Sequence, residues 1–405
     1  MRILEICNHF PPTIGGSETH NFSIVKYLHD KGHDVEVIAV RGLQGFEKLN
    51  YYNEIKDSLL SNEFIHPDLP GIHIHNVILK QHKFPYNYIC YYNIWKKVQQ
   101  IEKKRGRFDL IETHFLPFAL FLSGKRRIVL TVHSFMVVCV KYNSPAQCHR
   151  PAFGRCKCVS LIRYIYWRLI NVICMHKVDK IIVKYDYMGK NIAKRKIPES
   201  KIATIPHWID YEALQKPIAQ NVNKSEVFTY GFLGRLDEFK GIRSIIHAFK
   251  IVLDGKIKAR MLIIGDGLLK KELEEYCRQN NILEYVNFVG NIDHHQLSNY
   301  LPLADSFVVA SPYDNYNWAL IELMCSGKPI IATRTGGTCD ILIDGYNAIL
   351  ADPTPESIAE KMKYVLENYD SIKQIPENAL QTIKEKHSMD NLKLYESLLM
   401  EVAKK

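Results

Sequence analysis

Residues Thr229 to Leu253 have the sequence TYGFLGRLDEFKGIRSIIHAFKIVL. The apolar run Thr229–Leu233 is followed by a loop rich in charged residues, and from Ile242 onward apolar residues recur three and four positions apart. This pattern predicts a buried strand, a short loop and an amphipathic helix over Ile242–Leu253. A strand that passes through a short loop into a helix is the repeating unit of a parallel sheet, so the stretch predicts an α/β fold.

The same alternation extends through the rest of the chain. In the first half the predicted elements are strands Arg2–Cys7, Val35–Val40, Leu110–Glu112, Ile128–Val132, Lys180–Val183 and Ile202–Ile205, and helix Asn21–Lys31. In the second half they are strands Met261–Ile264, Val286–Val289, Ser306–Ala310 and Ile330–Thr333, and helix Lys270–Asn280. Two such series predict two Rossmann-like domains, joined near Pro206–Lys216, with a ligand crevice beyond the carboxyl ends of the strands.

The composition is that of an ordinary globular protein. The chain has 405 residues, 47% of them hydrophobic and 24% charged, and this length favours two domains over a single core. Apolar runs are shorter than the roughly 18 residues of a spanning helix, and Met1–Ile6 lacks the character of a signal peptide. The ten scattered cysteines favour a reducing compartment, so the predicted location is cytoplasmic.

The net charge of +10 is unevenly distributed along the chain. Residues 1–205 contain 31 Lys and Arg against 16 Asp and Glu, whereas the remainder contains 22 against 27. A first half with a charge of +15 indicates either solubility alone or an anionic partner, such as a membrane surface or a phosphorylated lipid. A nucleic acid is a poor fit, because the basic residues do not form a motif of any nucleic-acid-binding module.

Two basic residues stand in the loop of the opening stretch. Gly234-Arg235 follows the strand and Lys240-Gly241 precedes the helix. Glycines let the backbone approach a ligand closely, and a helix N-terminus favours anions. Arg supplies a fork of donors and Lys a point charge, a combination suited to a diphosphate. Taken alone, the pair is also compatible with two solvated side chains.

A second polar element follows the strand Ser306–Ala310. Asp314 precedes Glu322 by eight positions, and a helix is predicted to begin between them near Trp318. A loop carboxylate and the first backbone amides of a helix would then face one pocket, where amides hold phosphate oxygens and carboxylates accept hydrogen bonds from hydroxyls. The alternative is an ordinary acidic residue near a helix start. Gly336-Gly337 adds another close-approach loop.

These motifs resemble those of the family-4 retaining glycosyltransferases, which have the GT-B fold. The matching stretches are Pro11–Glu18 with Gly32-His33, Gly234-Arg235 with Lys240-Gly241, Asp314 to Glu322, and Gly327-Lys328-Pro329 through Gly336-Gly337. The resemblance extends from Met1 to about Ile358, and the motifs stand in the family's order, which makes the resemblance specific. It implies two Rossmann-like domains that face each other across a cleft.

The resemblance implies a role for each matched position. Arg235 and Lys240 are expected to bind the donor diphosphate and Glu322 the ribose hydroxyls, while Asp314, where the family usually has Glu, is expected to contact the donor sugar. From the residues alone His133 is more often a structural histidine, but its family counterpart contacts the donor sugar. The catalytic set is therefore His133, Asp314, Arg235 and Lys240. The other expected donor-binding residues are Gly15, Gly16, Asn291, Ile292, Asn317, Trp318 and Ala319.

The expected reaction transfers a hexose-type sugar from a UDP- or GDP-sugar to a glycan or lipid-linked acceptor, with retention of configuration. Charge that develops on the leaving diphosphate would be stabilised by the basic residues and loop amides. The nucleotide sugar is a substrate, and no cofactor is expected. No D-x-D metal motif is present in the sequence, so no metal is expected either. The alternatives are a GT-B sugar-nucleotide epimerase and a catalytically weak nucleotide-sugar-binding protein.

The family also predicts the domain boundaries. Residues 1–206, together with a C-terminal helix over about 388–405, are expected to form an acceptor-binding domain, and residues 207–387 a donor-binding domain. The amphipathic pattern of Asn391–Val402 fits a last helix that returns to the first domain. Closure of the two domains would then complete the site.

Two features of the first half are open to more than one interpretation. Cys139, Cys148, Cys156 and Cys158 could hold a structural metal, but their spacing favours reduced packing cysteines. The segment Leu161–His176 combines aromatic residues with arginines, which suits a buried helix better than one lying on a membrane. Peripheral association with an anionic membrane is still expected from the overall charge of this half.

Overall fold

The structure is a computed structural model. It describes residues 1–7, 10–11, 16–42, 61, 63–79, 86–114, 126–132, 170–215, 226–292, 296–311, 318–335 and 338–405. Within these residues the chain divides into two compact units. Unit 1 comprises Met1–Pro206 and Asn391–Lys405, and unit 2 comprises His207–Asp390.

Unit 1 is built on an eight-stranded sheet with the order β3-β4-β2-β1-β5-β6-β7-β8. The strands are β1 (Arg2–Cys7), β2 (Asp34–Gly42), β3 (Glu63–Phe64), β4 (His73–Leu79), β5 (Leu110–Thr113), β6 (Arg127–Val132), β7 (Lys180–Val183) and β8 (Ile202–Thr204). Its helices include α1 (Gly16–Asp30), α2 (Tyr86–Arg105) and α3 (Asp186–Ala193). Every pairing is parallel except that of β3 with β4.

Unit 2 has a parallel six-stranded sheet with the order β11-β10-β9-β12-β13-β14. The strands are β9 (Thr229–Leu233), β10 (Arg260–Ile264), β11 (Val286–Gly290), β12 (Ser306–Val309), β13 (Ile330–Thr333) and β14 (Ile349–Ala351). The helices are α4 (Tyr211–Gln215), α5 (Ile242–Asp254), α6 (Lys270–Gln279), α7 (Leu297–Tyr300), α8 (Trp318–Met324), α9 (Thr338–Ile341), α10 (Pro355–Glu367) and α11 (Gln374–Lys386). The last helix, α12 (Asp390–Lys404), belongs to unit 1 from Asn391 onward.

The hydrophobic periodicity of the opening stretch accounts for how α5 packs. Ile242, Ile245, Ile246, Phe249 and Val252 are buried, and they share a core with β9, β10 and helix α10. Strands of a sheet covered by helices on both faces are buried on both sides, so they are continuously apolar rather than alternating. This burial explains why short apolar runs such as Met261–Ile264 locate the strands.

The α/β fold with two parallel sheets is confirmed, and the predicted strands of both halves are present with shifts of at most two residues at their ends. Strands β3, β4 and β14 were not predicted. In β4 the polar residue His75 is buried, and its Nε2 lies 2.9 Å from Oε2 of the equally buried Glu36 on β2. Such pairing lets a strand bury polar side chains. A strand of this kind cannot be recognised from the hydrophobicity of its sequence alone.

Among the described residues, no helix combines the length and the apolar character needed to cross a membrane. The described part of Leu161–His176 begins at residue 170 and is helical. Cys174 and Met175 in this part are buried, whereas Ile173 is exposed. The arginines of the segment lie outside the described residues, as do Cys139, Cys148, Cys156 and Cys158.

Candidate functional site

The carboxyl ends of the unit 2 strands are joined to one another through backbone hydrogen bonds. Gly234 N–H, after β9, donates to the Ile264 carbonyl at 3.0 Å, and Gly265 N–H, after β10, donates to the Gly290 carbonyl at 2.8 Å. Leu236 N–H donates to the Asp266 carbonyl at 2.9 Å. Because the strands are parallel, the loops that follow β9, β10, β11 and β12 all lie at this edge of the sheet.

Two glycines make this close packing of loops possible. Gly241 has a φ of 68°, and a Cβ there would overlap the Ala310 carbonyl at the end of β12. Gly265 has a φ of 138°, and a Cβ there would overlap the Gly234 carbonyl. Both backbone conformations are unfavourable for a residue with a side chain. The edge is therefore formed by main chain packed on main chain.

Arg235 and Lys240 both lie in the loop between β9 and α5. The Arg235 side chain is 72% exposed and pairs with Asp237 Oδ2 at 3.0 Å. Asp237 also caps the short 3-10 turn Glu238–Lys240 by accepting a hydrogen bond from Phe239 N–H at 3.0 Å. Exposed ion pairs of this kind contribute at most about 1 kcal/mol, so an anion of higher charge can compete for the guanidinium.

Lys240 directly precedes the N-terminus of α5, where Gly241 is the N-cap. Its side chain passes close to Gly234, since a Cβ built on that glycine would lie 3.8 Å from Lys240 Cγ. Lys240 therefore lies close to both the N-terminus of α5 and the glycine loop after β9. Positive potential and backbone N–H groups both favour an anion there.

Helix α8 carries the predicted ribose contact. It starts at Trp318, and Glu322 is in its second turn with only 5% of its surface exposed. The Trp318 indole packs edge-on against the His207 ring, with centroids 4.9 Å apart and planes at 72°. Ala319 follows and is half-buried. The bulk of Trp318 is thus accommodated by a contact within unit 2.

His207 is itself held in place by His387, at the end of α11. The Nδ1 of His387 lies 3.0 Å from the His207 carbonyl, and Ile209 N–H donates to the His387 carbonyl at 2.9 Å. Burial lowers the pKa of His387 to about 4. The ring is therefore neutral at physiological pH, and Nδ1–H can donate to the carbonyl.

The structure describes some of the remaining predicted site residues, and others lie outside the described residues. Asn291 is exposed and Ile292 half-buried, both just after β11. Gly16 is the first residue of α1. Four predicted site residues lie outside the described residues: Gly15, His133, Asp314 and Asn317.

One further loop at the same edge was not predicted from the sequence. Gly265-Asp266-Gly267 follows β10 and leads to α6, and a Cβ on Gly267 would collide with the Leu236 backbone. A Cβ on Gly290 would lie 3.9 Å from Lys270 Nζ, so this lysine is close to the start of the Asn291 loop. The signal was the same strand–glycine–helix pattern that singled out Gly234.

Unit 1 contains a buried polar cluster at strands β1, β5, β6 and β7. Its members are Glu5, Glu112, His114, Thr131 and Lys184, together with Tyr395 of α12. Glu5 and Glu112 are adjacent in the parallel register of β1 and β5. Burial raises the pKa of each of these two carboxyls to about 8, and burial lowers the pKa of Lys184 to about 7. The Nε2 of His114 lies against Glu5, and the His114 side chain is only 2% exposed.

Comparison with known proteins assigns the chain to a family. Residues 14–213 match the sequence model described as Glycosyltransferase Family 4, and residues 215–382 match that described as Glycosyl transferases group 1. An uncharacterized glycosyltransferase of Methanocaldococcus jannaschii is 28% identical over 400 residues, which cover 96% of each chain.

The solved structures that share the fold include the following two. Sucrose-phosphate synthase from Thermosynechococcus elongatus superposes with a TM-score of 0.78 at 18% identity, over 99% of this chain and 98% of that one. Anabaena HepE in complex with UDP-glucose gives 0.71 at 16% identity, over 98% of this chain and 99% of that one. The protein is thus a glycosyltransferase with the GT-B fold. It belongs to the family-4, or group 1, glycosyltransferases.

Proposed function

We propose that this glycosyltransferase moves a hexose-type sugar from a UDP- or GDP-sugar to a glycan or lipid-linked acceptor, with retention of configuration, in polysaccharide or glycoconjugate biosynthesis. The observation that carries the proposal is the placement of Arg235 and Lys240. They lie in one glycine-bounded loop that leads into the N-terminus of α5.

A nucleoside diphosphate matches the charge of that loop. Two phosphates spread negative charge over several oxygens, and a guanidinium with an ammonium provides a fork and a point charge for them. When the diphosphate binds, Arg235 would exchange its exposed ion pair with Asp237 for contacts with the phosphate oxygens. Backbone packing at Gly241 and Gly265 keeps the loop in place, so little ordering is required when the donor binds.

The two residues would act most strongly as the sugar–phosphate bond breaks. Negative charge then grows on the leaving diphosphate, and cationic groups that already face it stabilise the transition state more than the bound substrate. We propose that the acceptor hydroxyl attacks the anomeric carbon on the face that the diphosphate leaves, and that the diphosphate oxygen takes the acceptor proton. Configuration is retained in such a step without a covalent sugar–enzyme intermediate.

The other proposed contacts orient the donor. Glu322 would accept hydrogen bonds from the ribose hydroxyls, and the backbone at Asn291 and Ile292 would contact the base. Asp314 and His133 would contact the sugar. A uridine donor is consistent with the complex of the structural neighbour HepE with UDP-glucose. We propose that neither a metal ion nor a cofactor takes part.

The first experiment screens the purified protein against UDP- and GDP-sugars by thermal shift, followed by transfer assays with the donors that bind. Arg235→Ala and Lys240→Ala are expected to lower transfer by at least about 100-fold, the usual cost of removing a group that stabilises transition-state charge. Arg278→Ala is the matched control. Arg278 is exposed in the last turn of α6, and its ion pair to Glu275 lies within that helix.

Normal turnover by Arg235→Ala or Lys240→Ala would contradict the proposed donor site. Donor binding without transfer to any acceptor would instead identify a nucleotide-sugar-binding protein. A sugar nucleotide converted without an added acceptor would identify an epimerase.

A further inference from the structure

Three glycines stand at the carboxyl ends of the neighbouring strands β9, β10 and β11 of unit 2. Gly234 and Gly265 directly follow β9 and β10, and Gly290 is the last residue of β11. All three have positive φ values, of 147°, 138° and 88°. Gly234 N–H donates to the Ile264 carbonyl, and Gly265 N–H donates to the Gly290 carbonyl, so the backbone links the three positions into one row. This glycine row is a strip of main chain that bears no side chains of its own.

A lysine side chain lies at each end of the glycine row. At the β9 end, a Cβ built on Gly234 would lie 3.8 Å from Lys240 Cγ. At the β11 end, a Cβ built on Gly290 would lie 3.9 Å from Lys270 Nζ, and it would meet no other atom of the described residues within 4 Å apart from its chain neighbours. Strand β10 separates β9 from β11, and neighbouring strands are about 4.8 Å apart, so the two ends of the row are roughly 10 Å apart.

This separation places the two lysines at different parts of a bound nucleotide. The phosphorus atoms of a diphosphate share one bridging oxygen, so a diphosphate held by Arg235 and Lys240 would occupy the β9 end of the row. The residue after Gly290 is Asn291, whose backbone is the proposed contact to the base. Lys270 therefore lies at the end where the base is expected, away from the expected position of the phosphates.

The Lys270 side chain can offer hydrogen bonds to a ligand at that end. Lys270 is the first residue of α6 and is half-buried. Within the described part of the chain, its ammonium makes neither a hydrogen bond nor an ion pair. An ammonium carries three donors and no acceptor. It can therefore pair with a carbonyl oxygen of a base, but it cannot pair with an amino group.

The four common bases differ at the group that such a donor would meet. Guanine carries the acceptor O6 where adenine carries an amino group, and a pyrimidine with O4 differs in the same way from cytosine with its amino group. An ammonium that faces an amino group leaves two donors opposed and unpaired, and polar groups left unpaired in a binding site make it reject the wrong ligand.

Given the donor site proposed above, we propose that Lys270 selects the base of the nucleotide sugar. Its ammonium donates a hydrogen bond to the exocyclic carbonyl oxygen of uracil or guanine, and it disfavours cytosine and adenine, which present an amino group at that position.

Calorimetric titration of the full chain with UDP, CDP, GDP and ADP tests the selection. UDP and CDP form a matched pair, because they are equal in size and differ chiefly at this group. The unmodified protein should bind the carbonyl-bearing member of the pyrimidine or purine pair at least about tenfold more tightly, since a hydrogen bond to a charged group contributes a factor of roughly ten or more.

Two variants of Lys270 should reduce this preference. Lys270→Met keeps an unbranched side chain without the ammonium, and it should lose roughly tenfold in affinity for the preferred nucleotide and bind both members of the pair almost equally. Lys270→Gln has both a donor and an acceptor, so it should also accept the amino-bearing base. Lys271→Met is the matched control, because Lys271 is the next residue of α6 and is exposed. It should keep the preference of the unmodified protein.

Arg235→Ala separates the base contact from the donor site as a whole. This variant should weaken UDP and CDP by the same factor and leave their ratio unchanged. If Lys270→Met also leaves the ratio unchanged, Lys270 does not contact the base and the inference is wrong, while the donor site stands. If none of the four nucleotides binds to the unmodified protein, both the inference and the proposed donor site are wrong.

Discussion

The indole ring of Trp318 packs edge-on against the imidazole ring of His207, with the ring centroids 4.9 Å apart. Trp318 is the first residue of α8, and Glu322 stands one turn further along the same helix. His207 is buried and is held through its carbonyl by His387. The start of the helix that carries the proposed ribose contact is thus anchored by an aromatic pair.

Removing this pair should weaken donor binding. Trp318→Ala is expected to cost about 2–3 kcal/mol of unfolding free energy, less than full burial would imply because the side chain is half-buried. It should also raise the KM for the nucleotide sugar, because α8 loses its anchor. Trp318→Phe keeps an aromatic edge and should stay within about 1 kcal/mol of the unmodified protein. Urea unfolding and donor titration measure both effects, and equal KM values for the two variants would contradict this role.

A side chain at position 241 should disrupt the donor loop. Gly241→Ala forces a Cβ onto the Ala310 carbonyl at a φ of 68°, where the backbone itself disfavours alanine by about 1 kcal/mol. We expect a lower melting temperature and a loss of donor binding that exceeds the loss of stability. Gly327→Ala is a suitable control, because that glycine also has a positive φ but has open space around its Cβ position. Similar donor affinity in the two variants would show that the close approach at Ala310 is unimportant.

The stability of the protein should pass through a minimum near pH 8 because of the buried cluster. The pKa values of Glu5 and Glu112 are raised to about 8 in the folded state, so their stabilising contribution is complete below their unfolded pKa and is lost as the pH rises toward 8. The pKa of Lys184 is lowered to about 7, so the unfolded chain holds that proton longer, and stability rises again between pH 7 and about 10.

Unfolding free energies measured in urea between pH 5 and pH 10 would reveal this minimum. The fall from pH 5 to pH 8 is expected to be on the order of 5 kcal/mol, and Glu112→Gln should roughly halve it. Lys184→Met should remove the rise above pH 8. A curve that does not fall between pH 5 and pH 8 would show that the two carboxyls are ionised in the folded protein.

The shorter acid at position 314 should affect the sugar more than the nucleotide. If Asp314 contacts the donor sugar, Asp314→Glu advances the carboxylate by one methylene and should change the ranking of donor sugars in transfer assays. The affinity for the free nucleoside diphosphate should change by less than about twofold, since Arg235 and Lys240 supply that part of the site. A change in diphosphate affinity with an unchanged sugar ranking would place Asp314 elsewhere.

Peripheral membrane binding is expected to depend on a small number of lysines. Arg126 pairs with Glu102 and Arg127 with Asp179, whereas Lys103 and Lys104 at the end of α2 are exposed. Each basic residue near an anionic surface contributes about 1 kcal/mol. Lys103→Glu/Lys104→Glu should therefore reduce co-sedimentation with phosphatidylserine vesicles at least tenfold. Binding that is independent of anionic lipid or of added salt would exclude this mechanism.

The parallel strands and the glycine loops could be predicted because their signals are local. A run such as Lys180–Val183 identifies a buried strand from four residues, and Gly234-Arg235 follows its strand directly. Strand β4 was not predicted, because its buried His75 is paired with Glu36, a residue 39 positions away in the sequence. The Gly265–Gly267 loop has the same local strand–glycine–helix pattern as Gly234, so it could have been predicted from the sequence.

Local patterns along the chain are enough to predict two α/β units, and to predict that basic residues and glycines stand together at the carboxyl end of one strand in the second unit. Hydrophobic periodicity and backbone requirements are properties of neighbouring residues, so they can be recognised along the chain. Folding alone brings Glu112, Thr131 and Tyr395 into one buried polar cluster, although Thr131 and Tyr395 are 264 positions apart. Whether a carboxyl is buried, and whether it keeps its proton, depends on groups that folding brings together from distant parts of the chain.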